Sequence, residues 1–153
     1  ELPARMIVGE IVERVREKVY LKHGVYQDAH EEYPAWPPLS EETLKHREVN
    51  PNDEPLLDTE DMRGNLDASK PIYLGGGATG VVVGIVGYKA KYEREYFAYH
   101  EMGTEDMPAR PTLGPAVVEV EEEIGYIVGA IAHNHFSMLF NGLSSFSPVY
   151  FKK

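Results

Sequence analysis

The sequence contains no cysteine, which excludes disulfide frameworks, thiolate nucleophiles and cysteine zinc sites. Basic residues are also scarce, because 15 Lys and Arg stand against 25 Asp and Glu and give a formal net charge of −10. A nucleic-acid surface needs clustered Lys and Arg, and the basic residues here are dispersed. We therefore predict no tightly bound nucleic acid, although an acidic surface can lie beside DNA that slides past it.

Long apolar runs are absent as well. The most apolar stretches, 81–88 and 124–132, are far shorter than the roughly 20 residues that span a bilayer, so no membrane contact is expected. The N-terminus has no basic region followed by an apolar core, and we predict no signal peptide. With 153 residues, 42% of them hydrophobic, the chain fits one globular domain over 1–153.

Helical periodicity marks both ends of the chain. Apolar residues recur at spacings of three and four over 4–23 and over 115–135, which predicts two long helices. Pro3 suits the first turn of the first helix, and Gly24 suits the position just past its end. The second helix carries four glutamates in its first half, where carboxylates favour the positive end of the helix dipole.

The strand signals lie between these helices. Ile72–Leu74 is short, Val81–Val86 is β-branched and bounded by glycines, and Tyr92–Tyr99 is aromatic and predicted to pair with it as a hairpin. Met102–Pro111 is predicted as a loop, and Pro148–Phe151 as the last strand. The prediction is an α+β fold in which an antiparallel sheet is packed by the two long helices.

A proline-rich segment, 25–71, separates the first helix from the sheet. Two short helices are expected in it, one capped by Ser40 and running to about Glu48, the other capped by Asp58 near 60–66. The segment holds too many large apolar side chains for a disordered tail. We interpret it as an extended arm that packs on something, for which a neighbouring subunit is one candidate.

No motif for catalysis or cofactor binding has its required context. Gly75, Gly77 and Gly80 match GxGxxG, but a strand follows where the dinucleotide motif needs a helix. The acidic residues 58, 60 and 61 lack the spacing of a calcium loop, and His133 and His135 point to different faces of a helix. No GxSxG-type nucleophile is present. We predict no enzyme activity, cofactor, nucleotide or metal.

Three stretches in order resemble the virion-morphogenesis and tail-completion proteins of tailed phages, as in Mu-like phages and the putative tail component of lambdoid siphophages. The residues are Trp36-Pro37-Pro38-Leu39-Ser40 with Thr43-Leu44-Lys45, then Leu56-Leu57-Asp58-Thr59 with Met62-Arg63, then Tyr99-His100-Glu101-Met102-Gly103-Thr104 with Met107-Pro108-Ala109-Arg110-Pro111 and Leu113-Gly114-Pro115-Ala116. The resemblance covers about residues 36–116. The family usually carries Gly and a large apolar residue where this chain has Glu60 and Thr112.

The resemblance implies a structural virion protein of the head–tail joint, assembled in the host cytoplasm as a homo-oligomeric ring of six around the DNA channel. Its expected partners are adjacent neck and tail proteins, with DNA passing through the lumen without specific binding. The alternative is a cytoplasmic assembly or binding factor that never enters the particle.

The expected subunit contacts combine the arm with the motif residues. A stiff Trp36-Pro37-Pro38 segment suits docking on a partner, although Trp36 could equally close its own core. Prolines on both sides of Ala109-Arg110 hold the chain extended, so Arg110 could bridge to a carboxylate across a subunit boundary or simply to its own helix. The candidate interface residues are Trp36, Leu39, Leu57, Met62, Arg63, His100 and Arg110.

Overall fold

The structure, a computed structural model, describes residues 2–47, 49–58, 61–76, 79–89 and 96–141. It begins with α1 (Leu2–Lys22), in good agreement with the predicted helix 4–23, and Gly24 follows with a φ of +86°. Two short helices come next, α2 (Glu41–Lys45) and α3 (Asp61–Gly64). The predicted cap of α2 is confirmed, because the Ser40 hydroxyl accepts a hydrogen bond from the Thr43 amide at 3.0 Å.

In the part of the chain that the structure describes, four short strands form two antiparallel pairs. The strands are β1 (Leu66–Ala68), β2 (Ile72–Gly76), β3 (Thr79–Val83) and β4 (Val86–Tyr88). β2 pairs with β3 in a hairpin, with Leu74 opposite Val81, and β1 pairs with β4. The predicted strand 81–86 is therefore present as β3 only up to Val83, and Val86 begins β4.

Three helices complete the described chain: α4 (Tyr96–Met102), α5 (Leu113–Glu121) and α6 (Ile124–Asn141). α1 lies at the centre and contacts α5 and α6 as well as β1, β3 and β4. The core cluster joins Val15 and Val19 of α1 to Ala116 and Val120 of α5. Half-buried side chains from the β1–β4 pair pack on this cluster, so the small sheet closes one side of the helical core.

Several sequence expectations differ from the structure. In the described residues the single predicted sheet is two two-stranded sheets, and β3 pairs with β2. Residues 92–95 of the segment 92–99, which was predicted to pair with it, lie outside the described ranges. Residues 96–99 of that segment are helical, as part of α4, because Phe97 stacks on Tyr88 at 4.5 Å between ring centroids. The second long helix is two helices, separated at Glu122 and Glu123.

Other expectations fall partly outside the described residues. The helix predicted near 60–66 is the single turn α3, and Thr59 and Glu60, where its start was predicted, are outside the described ranges. The carboxylate of Asp58 accepts hydrogen bonds from the amides of Val49 and Asn50. The predicted last strand, 148–151, lies outside the described residues.

Candidate functional site

The main polar cluster of the structure is built on the carboxylate of Glu101, at the end of α4. It accepts hydrogen bonds from the amides of Thr112, at 2.9 and 3.0 Å, and Leu113, at 3.2 and 3.3 Å. Thr112 is the N-cap of α5, yet its own side chain makes no capping hydrogen bond. A carboxylate from the preceding helix therefore satisfies the first amides of α5 and interacts favourably with its dipole.

The turn between α4 and α5 holds this carboxylate in place. Gly103 has a φ of +74°, and a Cβ there would lie 2.8 Å from the Ala109 backbone nitrogen and 2.9 Å from the Met107 carbonyl oxygen. Both the conformation and the close approach require glycine. The Arg110 amide donates to the His100 carbonyl at 2.6 Å, which closes the turn.

A chain of buried hydroxyl and imidazole groups leads from Glu101 into the core. The Thr112 hydroxyl donates to Glu101, and the Tyr88 hydroxyl lies 2.8 Å from Thr112 Oγ1 and 3.3 Å from His23 Nε2. His23 Nδ1 lies 2.9 Å from the Val19 carbonyl oxygen. Thr112 is 0% exposed and His23 4%, so a substrate cannot reach either group. This series of hydrogen-bonded groups links the end of α1 to β4, α4 and α5. Its position suits a role in holding these elements together.

Burial changes the acidity of these groups. It raises the pKa of Tyr88 and lowers the pKa of His23. Burial, together with the nearby positive charge of Arg110, lowers the pKa of His100 to about 4. Both histidines are therefore neutral in the folded chain near pH 7.

Arg110 joins the proline-rich segment to this cluster. Its side chain is 5% exposed, and one guanidinium nitrogen donates to the carbonyl oxygens of Pro37, at 3.0 Å, and Pro38, at 3.5 Å. Trp36, adjacent to these prolines, is 6% exposed. The acceptors that the structure shows for Arg110 are therefore backbone carbonyls of its own chain rather than its own helix, and the contact across a subunit boundary stays a prediction.

A second polar contact lies between α1 and the acidic junction of α5 and α6. Lys22 donates to Glu119, Lys18 lies 3.5 Å from Glu119 and 3.4 Å from Glu123, and Arg14 lies 3.2 Å from Glu123. The three cations are four residues apart, so they form one stripe along α1. Burial would raise the pKa of Glu119, but the hydrogen bond and charge of Lys22 outweigh it and lower that pKa.

The seven predicted interface residues have different environments. Trp36, Leu57, Met62 and Arg110 are buried within the single chain. Leu39 is half-buried, and its amide donates to the Tyr26 hydroxyl at 2.8 Å. Arg63 lies over the Tyr20 ring at 4.0 Å from its centroid, and His100 is half-buried beside Arg110. Arg110 lies near His100 and donates to the carbonyl of Pro37, the neighbour of Trp36 in the sequence. Met62 and Arg63 lie on α3.

Sequence reasoning missed four residues of the polar cluster as a set: His23, Tyr88, Glu101 and Thr112. Thr112 did carry a signal, because it stands where the resembled family has a large apolar residue. Here that position is filled by a hydroxyl that bonds to both Glu101 and Tyr88. A polar replacement at a buried position indicates a hydrogen-bonded partner.

Comparisons with family models, curated proteins and solved structures find no match to this chain. Within the described ranges, no three His, Asp or Glu side chains form a group that could hold a metal ion. No helix in the same part of the chain is both long and apolar enough to cross a bilayer.

Proposed function

We propose that this chain is a structural subunit of the neck of a tailed-phage particle, where it forms a homo-oligomeric ring around the DNA channel. One observation carries the proposal: segments of the chain that resemble tail-completion proteins bind one another in space. The carbonyls of Pro37 and Pro38 accept from Arg110, while Glu101 caps the helix that follows Arg110. The residues that carry the resemblance are thus the ones that hold the elements together.

This use of the motif residues favours a structural role over a catalytic one. Glu101 is committed to amides and a hydroxyl, and Arg110 to carbonyl oxygens. A catalytic carboxylate or guanidinium needs an open side where substrate can bind. Residues that lock α4, α5 and the proline-rich segment into one body are suited to a subunit that must transmit contacts within a large assembly.

The same proposal assigns roles to the helices, the small sheets and the proline-rich segment. The two longest helices, α1 and α6, and the small sheets form the body of the subunit, and segment 25–71 is its arm. Trp36 anchors this arm on its own subunit. Contacts with adjacent neck or tail proteins would then come from exposed parts of the arm, such as Pro37, Pro38 and Val49.

The charge of the chain suits a passage for DNA. A net charge of −10 repels phosphates, and a ring of six such subunits would multiply that charge around its lumen. DNA would then slide past without adhering, since adhesion depends on clustered Lys and Arg. The ring size of six comes from the family resemblance alone.

Deletion of the gene in a phage that encodes this chain tests the proposal. Mass spectrometry of purified wild-type particles should detect the chain. Micrographs of the deletion mutant should show heads and tails that fail to join, with rescue by the chain supplied from a plasmid. If heads and tails of the deletion mutant fail to join but wild-type virions do not contain the chain, the chain would instead be a cytoplasmic assembly factor. Normal, infectious particles from the deletion mutant would contradict both functions.

A further inference from the structure

Two exposed surfaces of the chain carry no charge. The first is one face of the β2–β3 hairpin, where Ile72 is 50% exposed, Leu74 58% and Val81 62%. Leu74 and Val81 are paired across the strands, so these side chains share one face of the hairpin. No charged residue occurs anywhere in 72–83. We name this surface the hairpin face.

The second surface lies on α6. Gly125, Val128, Gly129 and Phe136 fall on one side of the helix at 3.6 residues per turn, and all four are exposed. Val128 is 38% exposed and Phe136 56%, and a Cβ on either glycine would find no atom within 4 Å. None of the 18 residues of α6 is Asp, Glu, Lys or Arg. We name this surface the α6 face.

The backbone elements that carry the two faces match in length, and their surfaces are complementary in shape. Gly125 to Phe136 spans about 17 Å along α6 at 1.5 Å per residue. The five residues of a hairpin strand span about the same length at 3.3 Å each. The missing side chains at the two glycines leave a shallow groove, and the branched side chains of the hairpin provide ridges that fit into it.

Charge indicates which molecule covers the hairpin face and the α6 face. Two copies of a chain with a net charge of −10 repel each other wherever their carboxylates meet, so copies associate best through surfaces without charge. The rims are complementary as well: Lys70 is exposed at the base of the hairpin, and Glu121 and Glu122 are exposed at the start of α6. A hairpin laid along α6 from its N-terminal end places this lysine near those glutamates.

We propose that the hairpin face of one copy packs on the α6 face of the next. This contact is heterologous, so it covers both faces of every copy once it closes into a ring. Pairing of two α6 helices would leave the hairpin face open. The inference rests on the proposed self-assembly and names its contact surfaces.

The area of the contact predicts its strength. A patch of about 17 Å by 10 Å is well below the roughly 800 Å² per partner of a stable complex. Isolated copies should therefore associate weakly, with a Kd on the order of 1 mM. The ring would then need adjacent neck proteins to hold it closed.

The absence of cysteine permits a direct test by disulfide trapping. Val81→Cys and Gly129→Cys place one thiol at the middle of each face, and the two single variants are mixed, with one carrying a mass tag so that all products differ in mass. Oxidation at a concentration on the order of 1 mM should give mainly the mixed 81–129 dimer. Glu17→Cys, on the exposed side of α1, is the matched control and should cross-link with neither.

Each other result overturns the proposal. If the main product is the dimer of two Gly129→Cys chains, then two α6 faces pair with each other. If no cross-link exceeds the level of the Glu17→Cys control, then the hairpin face and the α6 face do not meet. The charged residues at the rim provide an independent check. Lys70→Glu in the Val81→Cys variant should reduce the yield of the mixed dimer several-fold. Glu121→Lys with Glu122→Lys in the Gly129→Cys variant should restore that yield. Failure of trapping alongside normal joining of heads and tails would reject this contact while leaving the neck function intact.

Discussion

At the scale of single residues, Glu101 shows how a charged side chain is used inside this molecule. Its carboxylate accepts hydrogen bonds from the Thr112 hydroxyl and from two backbone amides. These fixed donors take the place of the water molecules that would otherwise solvate the negative charge. Hydrogen bonds to an ionised acceptor are the stronger kind, each contributing roughly 1.5–3 kcal/mol. Gly103 makes the arrangement possible, because only glycine fits the turn that brings Glu101 to the helix end.

Trp36 was weighed both as a docking anchor and as a core residue, and its burial in the single chain makes a specific prediction. Trp36→Ala should destabilise the folded chain by roughly 3–5 kcal/mol, because the deletion of a large buried ring leaves a cavity. Chemical denaturation of the purified variant measures this. Val49→Ala, at a side chain that is 68% exposed, should have little effect. A Trp36→Ala protein that unfolds like wild type would show that the ring does not support the fold.

The buried histidines predict a dependence of stability on pH. An unfolded His100 has its ordinary pKa of about 6.5, whereas the folded pKa is about 4, so the unfolded chain binds more protons between these values. Stability is therefore complete above about pH 6.5 and falls on acidification, by roughly 2 kcal/mol at pH 5 from this group. His23, with a lowered pKa, acts in the same direction.

Thermal melts at pH 7 and pH 5 measure this dependence. The wild-type Tm should drop on acidification, and His100→Gln should reduce the size of the drop. His133→Gln, at an exposed position on α6, serves as the control and should leave the drop unchanged. An identical pH dependence in wild type and His100→Gln would contradict the assignment.

At the scale of elements, periodicity was sufficient for α1 but not for the second long helix. The apolar spacing continues through 115–135, yet the helix is interrupted where Glu122 and Glu123 follow two other carboxylates. Glu123 is directed to Arg14 and Lys18 of α1, contacts that no local pattern contains. Sequence reasoning identifies elements with strong local signals and misses boundaries that distant ion pairs determine.

The segment 92–99 shows the same limit for strands. Its aromatic residues favour a strand by propensity, yet 96–99 are helical. Stacking of Phe97 on Tyr88 and the requirement that Glu101 reach α5 are tertiary effects, so they override that preference. The polar cluster was not predictable for the same reason, because its members come from four separated parts of the chain.

The stripe of cations on α1 predicts an effect on stability. Glu119→Gln should destabilise the chain by about 2 kcal/mol, since Lys22 is 7% exposed and would lose its charged partner. Denaturation at low and high salt measures the loss, which salt should reduce only partly because the pair is partly buried. Lys45→Gln removes the exposed pair with Glu41 and should have little effect. Equal effects of the two substitutions would contradict the assigned importance of the buried pair.

At the scale of the whole molecule, charged and uncharged surfaces are separated. Residues 72–88 and 124–141 contain no Asp, Glu, Lys or Arg, so the net charge of −10 is carried by the rest of the chain. A subunit of a ring around DNA needs both kinds of surface, an acidic one toward the lumen and uncharged ones toward its neighbours. In the proposed ring, the motif residues would hold these surfaces in fixed positions.

Electron cryomicroscopy of the intact neck, in a phage that encodes this chain, tests the central claim most directly. We expect a closed ring of six copies at the junction of head and tail, with acidic side chains toward the DNA. A neck whose density holds one copy of the chain, or copies without closed symmetry, would contradict the account, as would a complete neck map that contains no copy at all.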